Sequence, residues 1–427
     1  MSFVRTSTEP PLEVCCGEGP TAGLEDESKG ILLAMRVLVV HNAYQQRGGE
    51  DFAVKREIEF LRERGHRIST FLISNDAILN MSRARLAVDT VWSSSSKRSL
   101  KERLQGERPD VVHFHNTFPL ISPAAYYAAR SEGVPVVQTL HNYRLLCPNA
   151  LFFRDGGTCE DCLGKPVPWP GVLHSCYRGD RAASGVVAGM LTVHSFLKTW
   201  REKVEVYIAL TEFARQKFIE GGIPAEKVAV KPNFVNPDPG PGEGKGGYAL
   251  FVGRLSEEKG VESMLRAWEL LGERIPLKVV GDGPLAEKVS RAAERLSGVE
   301  WMGQIPGEQV TELMKDAAFL VFPSTWYEVF PLVIVEAFAT GLPVIASDIG
   351  NMSSLIDHAH TGLHFRPGDG EDLAVQVGWA LSHPDELSRM RREARAEFEA
   401  KYTAERNYER LMEIYDLAME RASRTAV

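Results

Sequence analysis

The stretch FPSTWYEVFPLVIVEA, residues 322–337, joins a predicted buried strand to a predicted helix. Proline is common at the first position of a helix, so Pro331 indicates that a helix begins there. Glu336 lies inside that helix among apolar residues, and an ionised carboxylate there needs a partner, which a ribose diol would supply. The amides of Leu332 and Val333, in the first helical turn, are free to bind phosphate. The stretch therefore predicts a strand, a loop and a helix that carry a ligand site.

The same alternation of short apolar strands and amphipathic helices extends along most of the chain. It begins at Arg36, is interrupted at residues 147–180, and restarts at Tyr248. Such alternation predicts parallel sheets covered by helices. Residues 236–247 are rich in Pro and Gly and can continue neither a helix nor a strand, so we place a linker there. The sequence therefore predicts an α/β protein with two parallel-sheet domains.

The predicted organisation follows the changes in composition and period along the chain. Its parts are a disordered tail at residues 1–34, a first α/β domain at 35–235 with a Cys-rich insertion at 147–180, the linker at 236–247, a second α/β domain at 248–400, and a C-terminal helix at 401–427. We expect that helix to dock on a domain, with a return to the first domain as one option. Met35, just before the first strand, is a candidate for the natural start.

The composition excludes several classes of protein. With 427 residues, 44% hydrophobic and 25% charged, the chain is typical of a globular protein with more than one domain. Its 49 basic and 57 acidic residues give a net charge of −8, so no nucleic-acid partner is expected. No apolar run reaches the roughly 18 residues of a membrane-spanning helix, and the N-terminus lacks the pattern of a secretory signal. The expected location is the cytoplasm.

Loops after three other predicted strands carry candidate binding residues. Gly48 and Gly49 follow the first strand and would let the backbone approach a phosphate, although a plain tight turn explains them equally well. Arg254 and Lys259 follow a strand of the second domain, where two cations would clamp a diphosphate; solvated surface charge is the alternative. Gly281 ends the next strand and opens a flexible turn. These loops predict an anion site at the carboxyl ends of the strands.

Several of these motifs occur together and in one order. They are a Glu-x7-Glu pair with its companions: Glu328, Glu336, Gly253-Arg254, Lys259, Gly281-Asp282-Gly283 and the stretch 341–347. The set resembles the retaining glycosyltransferases of family four, and the resemblance covers about residues 35–420. It implies the GT-B fold, in which two Rossmann-like parallel-sheet domains face a central cleft. The first domain would take the acceptor, and the second would take the nucleotide-sugar donor.

The resemblance also implies roles for individual residues. Glu328 and the cleft histidine His141 are expected to act at the donor sugar. The alternative for His141 is a structural role at the end of a strand, with its hydrogen bonds made within the protein. Those expected to bind the donor are Arg254 and Lys259 on the diphosphate, the amides of Leu332 and Val333 on the phosphates, Glu336 on the ribose, Gln304 and Ile305 at the base, Gly281, and Gly49 in the loop that approaches the donor. Pro331 stands where the commonest form of the motif has Gly, which removes one backbone donor.

The implied activity is transfer of a hexosyl-type sugar from a nucleotide-diphosphate donor, with retention of configuration. The acceptor would be a glycan, a lipid-linked molecule or a small molecule. The chain contains no Asp-x-Asp motif, so no catalytic metal is expected, and fixed cations and helix dipoles would neutralise the leaving phosphate. The alternatives are a GT-B epimerase or phosphorylase and a non-catalytic protein that binds nucleotide sugars.

A further prediction concerns the segment Ala182–Leu197, which is unusually apolar. Its apolar side chains are Val186, Val187, Met190, Leu191 and Val193. Packing into the core explains them, and peripheral contact with the inner face of a membrane is the alternative.

The insertion holds four of the six cysteines, namely Cys147, Cys159, Cys162 and Cys176. Its turns and prolines leave few periodic apolar residues to build a core. Four thiolates around one structural zinc would hold it together. Two disulfides, an iron–sulfur cluster and free buried thiols are the alternatives.

Overall fold

The computed structural model describes residues 34–45 and 48–425. Apart from Ala34, the predicted tail at residues 1–34 lies outside the described residues.

The first domain is built on a six-stranded sheet. Its elements are β1 (Arg36–Ala43), α1 (Gly49–Glu63), β2 (Arg67–Ser74), α2 (Arg83–Val91), α3 (Ser94–Glu107), β3 (Val111–Asn116), α4 (Ala124–Ser131), β4 (Val136–Leu140), β5 (Phe153–Arg154), β6 (Gly157–Thr158), α5 (Trp169–Leu173), α6 (Arg181–Phe196), α7 (Thr199–Glu202), β7 (Val206–Ala209), α8 (Glu212–Glu220) and β8 (Val228–Val230). The strand order is β2-β1-β3-β4-β7-β8, and every neighbouring pair is parallel. Strands β5 and β6 form a separate antiparallel hairpin inside the insertion.

The second domain repeats this plan. Its elements are β9 (Ala249–Val252), α9 (Val261–Leu271), β10 (Leu277–Val280), α10 (Ala286–Arg295), β11 (Val299–Gly303), α11 (Gly307–Asp316), β12 (Phe319–Phe322), α12 (Leu332–Ala339), β13 (Val344–Ser347), α13 (Met352–Leu355), β14 (Gly362–Phe365), α14 (Gly370–Ser382) and α15 (Pro384–Lys401). The strand order is β11-β10-β9-β12-β13-β14, again with parallel neighbours throughout. The predicted fold class, two parallel-sheet α/β domains, is confirmed.

The strand order reverses once in each sheet. The reversal lies between β1 and β3 in the first sheet and between β9 and β12 in the second. In open parallel sheets, ligands bind in the crevice outside the carboxyl ends of the strands at such a reversal. The loops that follow these four strands are therefore where the fold leaves room for a ligand.

A long C-terminal helix, α16 (Ala404–Thr425), follows the second domain in sequence but packs on the first sheet. Its buried side chains share one cluster with strand residues of that sheet: Leu411, Met412, Ile414, Tyr415 and Ala418 with Val37, Val39, Val111, Val137, Val206 and Ile208. A β-bridge joins Val235, before the linker, to Thr403, before the helix. The two chain crossings between the domains therefore run side by side.

The insertion is held in a way that the sequence did not predict. All four cysteines are free thiols, and no group of three metal-ligating atoms among the described residues includes a cysteine sulfur. The predicted zinc site therefore stays a prediction. Phe152 is fully buried and lies with Cys147 in the main core of the first domain, so apolar burial anchors the segment. Burial, with the neighbouring thiols, also raises the pKa of Cys162 to about 12.

The apolar segment Ala182–Leu197 coincides with α6 and its C-cap, and Lys198 adopts a left-handed conformation (φ 53°) between α6 and α7. One predicted helix start is wrong. Pro331 lies outside α12, which begins at Leu332, since the ψ angle of Pro331 is 88° and not helical. Among the described helices, none has the length and apolar character needed to cross a bilayer.

Candidate functional site

A cavity of about 820 Å³ lies at the carboxyl ends of β9, β10 and β11. Four of the predicted binding residues line it together: Arg254, Gly281, Gln304 and Ile305. Gly48, from the loop after β1, lines it from the side of the first domain. The cavity is therefore part of the cleft between the two sheets.

A second cavity of about 800 Å³ adjoins the first, since Val252 and Val310 line both. Glu336 of α12 and Arg56 of α1 face it. Burial raises the pKa of Glu336, and the charge of Arg56 opposes that rise. Among the described residues, none donates a hydrogen bond to the Glu336 carboxylate. The carboxylate therefore retains its acceptor capacity for a ligand.

Glycines allow the loops of the first cavity to pack closely. Gly281 has φ +136°, and a Cβ atom there would lie 1.9 Å from the carbonyl oxygen of Gly253. A side chain at Gly281 would push apart the loops after β9 and β10. Gly49 differs, because a Cβ atom would meet nothing within 4 Å; it is exposed at the start of α1.

Glu328, in the loop after β12, is buried and held by three donors on one carboxylate oxygen. Its Oε1 accepts from Lys259 Nζ at 2.5 Å, Ser324 Oγ at 2.7 Å and Trp326 Nε1 at 2.9 Å. Within the described chain no donor contacts Oε2. Lys259, which was expected to bind the diphosphate, thus forms an ion pair with Glu328, which was expected to act at the donor sugar. The pair spans the reversal of strand order between β9 and β12.

Asn351 supports this loop from behind, a role that the sequence analysis missed. Its side-chain amide donates to the carbonyl oxygens of Glu328 and Val329. Its own carbonyl accepts from Thr211 Oγ1, just before α8 of the first domain. The position of the Glu328 loop therefore depends on both domains. A lone Asn in a loop gives no sequence signal of such a contact.

On the first domain, Asp51 fixes the loop that follows β1. Its carboxylate accepts from the backbone amides of Tyr44 and Gly48 at 3.3 and 3.0 Å and lies 2.9 Å from His41 Nε2. Glu50, next to it, accepts from the Tyr44 hydroxyl at 3.0 Å, and burial raises the pKa of Glu50 to about 8. Asp51 therefore holds Tyr44 and Gly48 in place, and Gly48 lines the cleft.

His141, the predicted cleft histidine, follows β4 and is half-buried. Its Nε2 lies 3.0 Å from His115 Nδ1. Burial lowers the pKa of His141 to about 3, so the ring is neutral at pH 7. His141 and Leu332, the first residue of α12, line the same narrow cavity. The structure thus brings the predicted sugar and phosphate residues of the two domains together.

Comparison with known proteins agrees with this architecture. A family model for Glycosyltransferase Family 4 matches residues 48–239, and one for glycosyl transferases group 1 matches residues 238–397. TuaC of Bacillus subtilis, a putative teichuronic acid biosynthesis glycosyltransferase, is 35% identical over 276 residues, which is 63% of this chain and 60% of TuaC. The chain spans about half the length of the curated relatives it matches.

Two solved structures share the fold. A glycosyltransferase from Rickettsia africae superposes with a TM-score of 0.65 at 17% identity, over 91% of this chain and 99% of that one. HepE of Anabaena, solved in complex with UDP, superposes with a TM-score of 0.63 at 16% identity, over 89% of this chain and 99% of HepE. Fold and cleft define the class of GT-B proteins. Within that class, the chain is similar to the family-four glycosyltransferases, since the two family models together match residues 48–397.

The pair of Lys259 and Glu328 makes a testable contribution to stability. In Lys259→Met the buried carboxylate loses its cation, and we expect the free energy of unfolding to fall by about 3 kcal/mol. The double variant K259M/E328Q removes both charges and should recover most of that loss. Urea unfolding of the two variants and the wild type measures the difference. Equal losses in the single and double variants would contradict a stabilising ion pair.

Proposed function

We propose that the protein transfers a sugar from a nucleotide-diphosphate donor to an acceptor hydroxyl, with retention of configuration. The observation that carries the proposal is the composition of the cleft between the sheets. Arg254 lines one cavity, the carboxylate of Glu336 lines the adjoining one, and Leu332 in the first turn of α12 lines a narrow cavity that shares Arg56 with the second. These three groups match a diphosphate and a ribose.

The proposed donor site assigns one part of the nucleotide to each group. Arg254 and the amides of Leu332 and Val333 would bind the diphosphate, and Glu336 would accept from the ribose hydroxyls. Gln304 and Ile305 would contact the base. The UDP bound to HepE, a protein of the same fold, supports a nucleoside diphosphate as the ligand.

The chemistry follows from this placement. The acceptor oxygen bonds to the anomeric carbon, the bond from that carbon to the diphosphate breaks, and the hydroxyl proton leaves with the diphosphate. Charge develops on the leaving oxygens, where Arg254 and the positive end of α12 would stabilise it. Glu328 and His141 would position the sugar. An epimerase or phosphorylase would use the same cleft, and the test must separate them.

A donor screen tests the proposal directly. Nucleotide sugars are incubated with glycan and lipid-linked acceptors, and both the released nucleoside diphosphate and the glycosylated product are measured. A transferase gives the two in equal amounts, and NMR of the product reports the anomeric configuration. Release of nucleoside diphosphate without product, or an isomerised donor, would contradict transfer.

Arg254 allows a matched test of the donor site. Arg254→Ala should weaken binding of UDP or GDP, whichever the wild type binds, by about tenfold at low salt. The loss should shrink as ionic strength rises, because the ligand is an anion. Arg274, also exposed, precedes β10 at the opposite edge of the sheet, so Arg274→Ala removes the same charge without touching the cleft. Calorimetry that shows equal affinities in both variants would exclude Arg254 from the site.

A lipid surface is the proposed location of the acceptor. Val187, Met190 and Leu191 of α6 are buried, which confirms core packing for that side, but the end of the helix exposes Phe196 (71%) and Leu197 (48%). Trp169 and Leu173 are exposed on α5, which packs against α6. Residues 162–201 hold five basic residues and one acidic residue, Asp180, in a chain that is acidic overall. An apolar patch with basic neighbours fits an anionic bilayer.

The double variant F196S/L197S tests this contact. Vesicles containing phosphatidylglycerol should sediment the wild type at low salt, and the variant should stay in the supernatant because it lacks the exposed apolar side chains. Val375→Ser, at a similarly exposed valine on α14 of the second domain, should bind vesicles like the wild type. If the wild type does not sediment, the membrane proposal is wrong and the transferase proposal is unaffected.

A further inference from the structure

A buried cluster of ionisable side chains lies beneath the cleft and has no part in the proposed donor site. His113 and His115 alternate along β3 and therefore point to the same side of the sheet, where Glu57 of α1 meets them. Glu57 Oε1 lies 3.2 Å from His113 Nδ1 and 3.4 Å from His115 Nε2. Glu57 Oε2 lies 2.8 Å from the ammonium of Lys231. All four side chains are buried.

The ligand atoms of Glu57, His113 and His115 are close enough for one metal ion, but the surroundings do not suit a cation. The Lys231 ammonium already balances the carboxylate. Both nitrogens of His113 are engaged, one with the Tyr415 hydroxyl and the other with Thr139 Oγ1, each at 2.8 Å. Lys231 and Glu57 therefore form a hydrogen-bonded ion pair, which leaves Glu57 Oε1 and His115 Nε2 as the two buried atoms of the cluster without a hydrogen-bond partner among the described residues.

The cluster connects to the cleft through a pair of histidines. His115 Nδ1 lies 3.0 Å from His141 Nε2. Burial lowers the pKa of His115 well below its usual range, as it does for His141, so a single proton is shared between these two nitrogens at neutral pH. A cavity of about 10 Å³, lined by Glu57, His115, His141 and Leu332, runs from the cluster to the start of α12.

The charge of Glu57 sets the direction of the hydrogen bonds along this chain. Burial opposes ionisation, but Lys231 and the two histidines hold the pKa of Glu57 well below its usual range, and an ionised carboxylate can only accept. His115 Nε2 and Glu57 Oε1 are both buried with no hydrogen-bond partner among the described residues and lie 3.4 Å apart, so a proton on His115 Nε2 would be directed at the carboxylate. His115 Nδ1 must then accept, and His141 Nε2 must donate to it.

We propose that Glu57 is a positioning residue that fixes His115 and His141 as Nε2–H tautomers, leaving His141 Nδ1 an acceptor. An acceptor at that position would take a hydrogen bond from a donor-sugar hydroxyl, and this last step rests on the proposed function. The tautomers themselves are a property of the free protein. Glu57 thereby acts on the sugar through two intervening rings without touching it.

Nitrogen-15 NMR of the histidine rings tests the proposal without substrate. The wild type, assigned with the help of His141→Gln, should show Nε2–H tautomers for His115 and His141. In Glu57→Gln the amide can donate to His115 Nε2, so both rings should switch to Nδ1–H. Glu57→Asp keeps a carboxylate and should keep the wild-type tautomers. Tyr415→Phe is the matched control, since it removes a bond to His113 away from the path to His141.

Kinetics supply the second readout. We expect kcat of Glu57→Gln to fall roughly three- to tenfold, the worth of one hydrogen bond, with unchanged affinity for the nucleoside diphosphate. Tyr415→Phe should keep kcat. Glu57→Gln leaves Lys231 buried without a counter-charge and could prevent folding. In that case the same measurements are made on E57Q/K231M, which removes both charges.

The outcomes separate the two proposals. Unchanged tautomers of His115 and His141 in both Glu57→Gln and E57Q/K231M would overturn the role of Glu57. A tautomer switch in a protein that transfers no sugar would support Glu57 and overturn the proposed function. A switch with unchanged kcat in an active enzyme would overturn the link to the sugar.

Discussion

All strands of a parallel sheet end at the same edge, and this constraint determines the rest of the molecule. Each sheet reverses its strand order once, so each has one place where the connecting loops diverge and leave a crevice. With two such sheets, the loops after β1, β4, β9, β10 and β12 meet at one cleft. Apart from Gly49 at the start of α1, every candidate donor residue lies on one of these loops, on the loop after β11, or on the first two turns of α12.

The proposed donor site would bind an anion although the net charge of the chain is −8. Lys259 is occupied by Glu328, so Arg254, backbone amides and helix ends would carry much of the attraction for an anion. Beneath the cleft, Lys231 and Glu57 compensate each other in the core. Such balanced pairs let ionisable groups remain buried at fixed positions, which the proposed diphosphate site would require.

The sequence predicted those features that depend on local pattern. The two parallel sheets follow from the alternation of strands and helices, and Glu336 was found because a carboxylate among Leu332, Val333 and Ile334 conflicts with its surroundings. The failures have a different cause. Asn351 and Glu57 act through residues 140 and 174 positions away, Thr211 and Lys231, and no local period reports such contacts. The burial of the insertion was missed because its few apolar residues, such as Phe152, pack into a core formed elsewhere.

The return of α16 to the first sheet has a mechanical consequence. Two polypeptide segments join the domains, and the bridge between Val235 and Thr403 places them next to each other. Two adjacent connections define a single hinge line, so the domains can swing about that line but resist twisting or sliding, which would stretch one connection against the other. We therefore expect any opening of the cleft to be a rotation about that line, which would bring Gly48 back opposite Arg254 on closure.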